Sequence, residues 1–290
     1  LWHNPNTPNE ESGFFNRTSR GIRISYPNYP FSARMSYREL GTDFNPDVGF
    51  TPRNAFRRLQ PTIEYEKSLE KNNLIREIEF SLRHEYLADM KFRPLTVSTT
   101  FTPVDILFES TERIRASVSR EFERLMNPFD IRRDGSIIIP AGDFNLWVFE
   151  GRFSTASFRK ISGQFDASYG NFWTGKRTEY RFSTDLRPWP GVNLDANWAH
   201  TRVRLPEGDF KTNLFRFEAN IDPTPSLSFT SNIQFDTLSD LLGLFSRVRW
   251  IITPGTDLFL VHTFNWISDE ERLRPVSTGG TIKLSYTHRF

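Results

Sequence analysis

Apolar and polar residues alternate along most of this chain, in blocks long enough to be whole strands. In Phe31–Leu40, Phe31, Ala33, Met35 and Tyr37 share one phase while Ser32, Arg34, Ser36 and Arg38 take the other. In Leu74–Ala88, Leu74, Ile78, Phe80, Leu82 and Tyr86 oppose Glu77, Glu79, Arg83 and Glu85. Lys176–Arg187 sets Tyr180, Phe182 and Leu186 against Glu179, Arg181 and Asp185. The last ten residues put Ile282, Leu284, Tyr286, His288 and Phe290 opposite Thr281, Lys283, Ser285, Thr287 and Arg289. Side chains on a strand point to opposite faces at period two, so each block predicts a two-faced strand. The pattern yields about fifteen such segments from Gly21 onward, including Lys91–Phe101, a long Asp105–Leu125 and the closing Thr281–Phe290. Helix-period patterns are nearly absent.

The connections fall into two sets. Short, often proline-marked turns, such as Tyr26–Pro30, Thr102–Asp105 and Asp222–Pro225, alternate with more variable loops, such as Gly41–Ala55, Met126–Asp143 and Ser268–Thr278. Short turns at one end and longer loops at the other are how outer-membrane barrels are built. The expected fold is therefore all-β: an antiparallel up-and-down transmembrane β-barrel of about 14–16 strands, with short periplasmic turns and longer extracellular loops. Residues 1–19 read as an N-terminal loop segment and residues 20–290 as the barrel. A strand count of fifteen is odd, whereas single-chain bacterial barrels are even. Either fourteen strands close the barrel and the first is misjudged, or a partner strand lies upstream; the second is the favoured reading, so this chain reads as the C-terminal part of a longer one.

Composition alters this picture little. Mean hydropathy is −0.51 and 25% of residues are charged, which passes for a soluble protein. A spanning strand needs only ~9–11 residues with one apolar face, so averaged hydropathy does not register it. The apolar weight lies in 28 Phe, 8 Tyr and 7 Trp. Trp147, Trp198, Trp250 and Trp266 fall in the apolar phase, as aromatic girdles at lipid headgroups would. A second face bearing ladders of Glu, Arg, Asp and Lys suits a wet interior, not a packed soluble core. Cysteine is absent, which removes disulfide scaffolds and thiolate metal sites. A net charge of +2 gives no case for nucleic acid.

No catalytic constellation emerges. His84, His200, His262 and His288 share phase with apolar neighbours, which points them toward lipid, away from any nucleophile in water. Gly170–Lys176 matches most of a phosphate loop, but Arg177 replaces the Ser/Thr and no helix follows. Asp43, Asn45 and Asp47 have calcium-loop spacing without the later Gly and Glu. The expectation is no enzyme, no cofactor and no metal. The candidate lumen lining is Glu77, Glu79, Arg83, Glu85, Arg113, Arg115, Glu179, Arg181, Asp185, Arg247 and Arg249. The candidate insertion signal is Leu284, Tyr286, His288 and Phe290. The Met126–Asp143 loop, with its Ile137-Ile138-Ile139 run, reads either as a constriction folded inward or as an exposed loop.

Two stretches carry a family resemblance. One is Tyr37-Arg38-Glu39 with Phe44-Asn45-Pro46-Asp47-Val48-Gly49-Phe50-Thr51-Pro52-Arg53. The other runs from Ser239-Asp240-Leu241-Leu242-Gly243-Leu244 through Ser246–Trp250 and Pro254–Phe259 to the closing strand. Together they resemble a little-characterised family of large outer-membrane proteins that join a carbohydrate-binding-like sandwich to a C-terminal barrel. The resemblance implies the barrel and no catalytic motif; the sandwich is not in this sequence. The functional expectation is a channel or transport component with a charged lumen. The second reading is a structural barrel plugged by its loops that docks an accessory protein or a glycan-binding domain. The expected partners are outer-membrane lipid, the barrel insertion machinery and an accessory outer-membrane or periplasmic protein.

Overall fold

The computed structural model describes residues 2–3, 13–46, 49, 51, 53–269 and 272–287. Its strands are β1 (Trp2–His3), β2 (Thr18–Pro27), β3 (Phe31–Leu40), β4 (Phe56–Ser68), β5 (Ile75–Asp89), β6 (Pro94–Phe108), β7 (Arg113–Leu125), β8 (Phe129–Asp130), β9 (Ile138–Ile139), β10 (Gly142–Ser154), β11 (Ile161–Phe172), β12 (Gly175–Leu186), β13 (Val192–Leu205), β14 (Gly208–Thr224), β15 (Leu227–Asp236), β16 (Leu241–Thr253), β17 (Thr256–Asp269) and β18 (Arg272–Tyr286). A single turn of 3-10 helix, Phe14–Arg17, precedes β2. The fold is all-β. All strands except β8 and β9 form one antiparallel up-and-down sheet in chain order, and β8 and β9 make a separate two-stranded hairpin.

Fifteen of these strands are long, and they correspond one to one with the alternating segments of the sequence. Several boundaries differ from expectation: residues 1–19 include β1 and the start of β2, Asp222–Thr224 belongs to β14, and two further stretches depart more widely. The proline-marked stretch Thr102–Asp105 is not a turn; it lies inside β6, at a register shift between Phe101 and Val104. Proline lacks a ladder donor and is tolerated at a bulge, so Pro103 reads like punctuation without breaking the strand. The real turn falls after Phe108, where Thr111 takes φ 68°. It divides the long Asp105–Leu125 segment between β6 and β7. The predicted Ser268–Thr278 loop is also mostly strand, because β17 runs to Asp269 and β18 starts at Arg272. Pro275 there lies opposite Trp266, beside another register shift.

The sheet is strongly curled. Arg83 on β5 and Arg181 on β12 line one cavity of about 320 Å³. Five ladders separate their strands, or about 24 Å along a flat sheet at ~4.8 Å per strand. Only a sheet curled with this face inward brings them together. Among the described residues no ladder joins β18 to β1 or β2, so both remain edge strands. Strand direction gives the physical reason. With fifteen alternating long strands, β2 and β18 run the same way, and an antiparallel ladder between them is excluded. The place beside β2 is taken at the loop end by β1, through Trp2↔Ser19 and His3↔Thr18.

Candidate functional site: the charged inner face and its apolar cover

The register of the sheet collects one phase of every strand onto the inner face. Ser81, Arg83 and Glu85 lie opposite Thr102, Thr100 and Ser98 of β6. Thr100 in turn faces Ser119, and from Ser117, two residues along the same face, a row runs through Glu150, Ser168 and Glu179 to Thr201 of β13. All eleven candidate lining residues fall on this face. Their surroundings differ. Arg113 and Arg115 converge on Asp105, whose side chain is fully buried, and Arg113 also reaches Glu79. Arg113 Nε lies 2.5 Å from Asp105 Oδ1, Arg115 Nε 3.4 Å from Oδ2, and Arg113 Nη2 3.1 Å from Glu79 Oε2. Arg83 reaches Glu64 at 3.1 Å, and Glu85 accepts from Gln60 at 2.6 Å. Arg181 and Glu179 form a short ion pair. Asp185 accepts from Ser162 at 3.4 Å, and Arg249 holds Asp257 at 2.8 and 2.9 Å. Glu77 lies opposite Ser68 and Leu107, and Arg247 opposite Thr230 and Val261, away from the main cluster.

The 320 Å³ cavity draws in four charged residues that were not among the sequence candidates: Glu150, Arg152, Asp166 and Arg177. Arg152 Nε contacts Asp166 Oδ1 at 2.5 Å, and Gln164 donates to Asp166 at 2.7 Å. Their phase matched the lining residues all along; only the curl shows which of many inner-face charges meet. The cavity wall carries five arginines (83, 115, 152, 177 and 181) against three carboxylates (Glu150, Asp166 and Glu179). Cations thus outnumber carboxylates by two in the lining itself, and Arg83 and Arg115 take their partners, Glu64 and Asp105, from just outside it.

Above this cavity, toward the longer loops, the inner face turns apolar and is covered. Ile137 and Ile139 are buried against Val203 and Leu205 of β13, with Leu125, Ile131, Phe144, Phe172, Trp173 and Phe210 packed around them. Ile138, between them, is half exposed, as hairpin alternation requires. The β8–β9 hairpin thus folds inward. Its tip is tied by the Asp130 carboxylate, which accepts from the amides of Arg132, Arg133 and Gly135 at 3.1, 2.9 and 2.7 Å. Arg133 and Gly135 take positive φ there, 62° and 78°. The Ser136 hydroxyl and amide donate to Asp134, which holds its carboxyl below the usual carboxylate range.

The outer face is the opposite in character. Large apolar side chains stand exposed on strand after strand: Ile22 and Ile24 on β2, Phe80 on β5, Phe149 on β10, Phe182 on β12, Phe215 on β14, Trp250 on β16 and Ile282 on β18. Such a belt far exceeds the few hundred Å² that a water-facing surface ordinarily presents. His84, His200 and His262 lie on this outer face. His84 contacts Thr99 at 2.8 Å, His200 contacts Asn213 at 2.8 Å, and His262 lies edge-on to Phe264. No Ser–His or Asp–His pair forms among the described residues. One outer-face cluster escaped the sequence reading: Glu39, 4% exposed, pairs with Arg20 and with Arg57 at 3.1 Å and accepts from Tyr37 at 2.7 Å. These four come from three strands, and nothing in their spacing links them.

Of the insertion-signal candidates, Leu284 and Tyr286 stand exposed on β18; His288 and Phe290 lie outside the described residues, as does Asp47 of the calcium-like loop. No group of three or more His, Cys, Asp or Glu is placed to hold a metal ion among the described residues, and no helix is long and apolar enough to cross a membrane. No family model matches the chain, and no curated protein matches it.

Proposed function

We propose that this chain is an integral outer-membrane β-barrel protein that acts without catalysis as a transport component. Its charged inner face is the path, and the β8–β9 hairpin is the constriction. The observation that carries this reading is the pairing of a continuous apolar belt outside with a curled, ion-paired face inside. That arrangement is stable where lipid surrounds the sheet and water fills it. Lipid satisfies the exposed Phe, Ile and Trp side chains, while inner-face charges keep water and one another as partners. The excess of arginine in the cavity favours anions.

Planar-bilayer recording tests this directly. The intact chain should conduct weakly and prefer anions, read as the sign of the reversal potential in a KCl gradient. Replacing residues 127–141 by a short Gly-Ser turn should raise the conductance. A second reading, a scaffold barrel sealed by its loops, is favoured by the packing of Ile137 and Ile139 onto Val203 and Leu205. Protein that inserts fully but stays silent with and without the hairpin would establish the scaffold and end the transport proposal.

A further inference from the structure

The outer face of β12, β13 and β14 changes character within a few residues. From the short-turn end, Leu186, Phe182 and Tyr180 on β12, Leu194 and Trp198 on β13, and Ile221, Phe217 and Phe215 on β14 belong to the apolar belt. Level with Tyr180 come the polar His200 and Asn213, and Thr178 follows on β12. At the long-loop rim stand Lys176, Arg202, Arg204 and Lys211, all exposed. The ladder sets Lys176 directly opposite Arg204, and Arg202 directly opposite Lys211. Like charges facing one another across a ladder destabilise it.

The Arg20–Glu39–Arg57 cluster on the same face has a carboxylate bridging its two cations. This second cluster has none. None of its four cations makes an ion pair among the described residues. Asp209, opposite Arg204, points its carboxylate at the Leu205 amide at 3.2 Å. Lys176 instead lies over the Tyr169 ring, 5.7 Å from its centroid. Lys176, Arg202 and Arg204 also line a hollow of about 480 Å³ with Tyr169, Tyr180 and His200. Cations above, aromatics at the boundary and acyl-compatible surface below match one chemistry, a phosphorylated lipid standing in the leaflet.

We infer that Lys176, Arg202, Arg204 and Lys211 form a binding site for the phosphate groups of an anionic phosphorylated lipid in the leaflet on the long-loop side. The phosphates supply the missing counter-charge through charge-assisted hydrogen bonds. The acyl chains continue down over Phe182, Trp198 and Phe215. This inference rests on the membrane insertion proposed above.

The test uses the whole chain folded into detergent micelles, with a bisphosphorylated, acylated glucosamine disaccharide as probe and native mass spectrometry as the readout. Its dephosphorylated form and phosphatidylcholine serve as comparison lipids. The wild type should retain the bisphosphorylated probe at least about tenfold better than either comparison lipid. The variant K176Q/R202Q/R204Q/K211Q should lose that preference. A charge-matched control at the opposite end, K67Q/K71Q/R76Q/K160Q, should keep it. Equal loss in both variants, no loss in the first, or binding of inorganic phosphate without any preference for the lipid would overturn the site. Protease protection in phosphatidylcholine vesicles separates the two proposals. A wild type that fails to insert there refutes the barrel reading, whereas one that inserts but shows no phosphate preference refutes only the lipid site.

Discussion

Truncating Ile139 to alanine should release the inner hairpin while leaving the sheet intact. Ile139 is fully buried, and its contacts cross to Val203 and Leu205 on β13. Removing three carbons from such a site costs about 2–5 kcal/mol, because the cavity left behind adds to the lost transfer energy. Ile137 and Ile131 share this cluster and Phe129 lies against Trp173, but the backbone adds little: β8 and β9 pair over two residues each, and one further backbone bond links Ile131 to Ile137 at 3.1 Å. A loss of about 3 kcal/mol raises the open fraction by about 10²-fold. Arg132 and Arg133 lie in the hairpin tip, so trypsin reports its opening directly. Where opening and closing are fast, cleavage tracks the open population, and the Ile139→Ala rate in vesicles should rise about a hundredfold. Ile138→Ala is the matched control. Its side chain is half exposed, and its rate should stay within about twofold. The double mutant Ile139→Ala/Val203→Ala should be less than additive, since both remove the same contact. Equal cleavage of the wild type and Ile139→Ala would refute the claim that this cluster holds the hairpin down.

Two further outcomes test the rest of the architecture. Asp105→Asn leaves Arg113 and Arg115 without their shared counter-charge, and urea unfolding in micelles should show a loss of about 1–3 kcal/mol; an unchanged midpoint would mean that the Asp105 network is dispensable. At the seam, cysteine at Ile24 paired with cysteine at Ile282, Leu284 or Tyr286 should resist oxidation to a disulfide in the inserted protein. β2 and β18 cannot form an antiparallel ladder, and an intervening strand would hold them about 10 Å apart, beyond the ~7 Å Cα separation a disulfide spans. Efficient crosslinking at any of the three pairs would show that the two edges meet directly.

Sequence by itself determined which face each residue takes. Period two is a local property of extended backbone, so Glu79, Arg113 and Arg181 could be assigned to one face, and Phe80 and Phe182 to the other, with no knowledge of their neighbours. The same logic placed His84, His200 and His262 among the outer aromatics. Boundaries were less legible where proline is ambiguous. Pro103 and Pro275 look like turn residues in sequence but sit at strand irregularities, because a bulge removes the need for a donor at that position.

Tertiary structure decided everything that depends on curvature and register. That Arg83 and Arg181 line one cavity requires a sheet curled through five ladders, and no spacing along the chain encodes that. The inward fold of Ile137 and Ile139 depended on whether an apolar surface waited for them; Val203, Leu205, Phe172 and Phe210 provide it from three different strands. The rim cations are likewise scattered along the sequence and become a single patch only through the pairing of Lys176 with Arg204 and Arg202 with Lys211. The alternation wrote the two faces. The long-range ladders chose which charges became neighbours, which mouth was covered and where the two free edges were left.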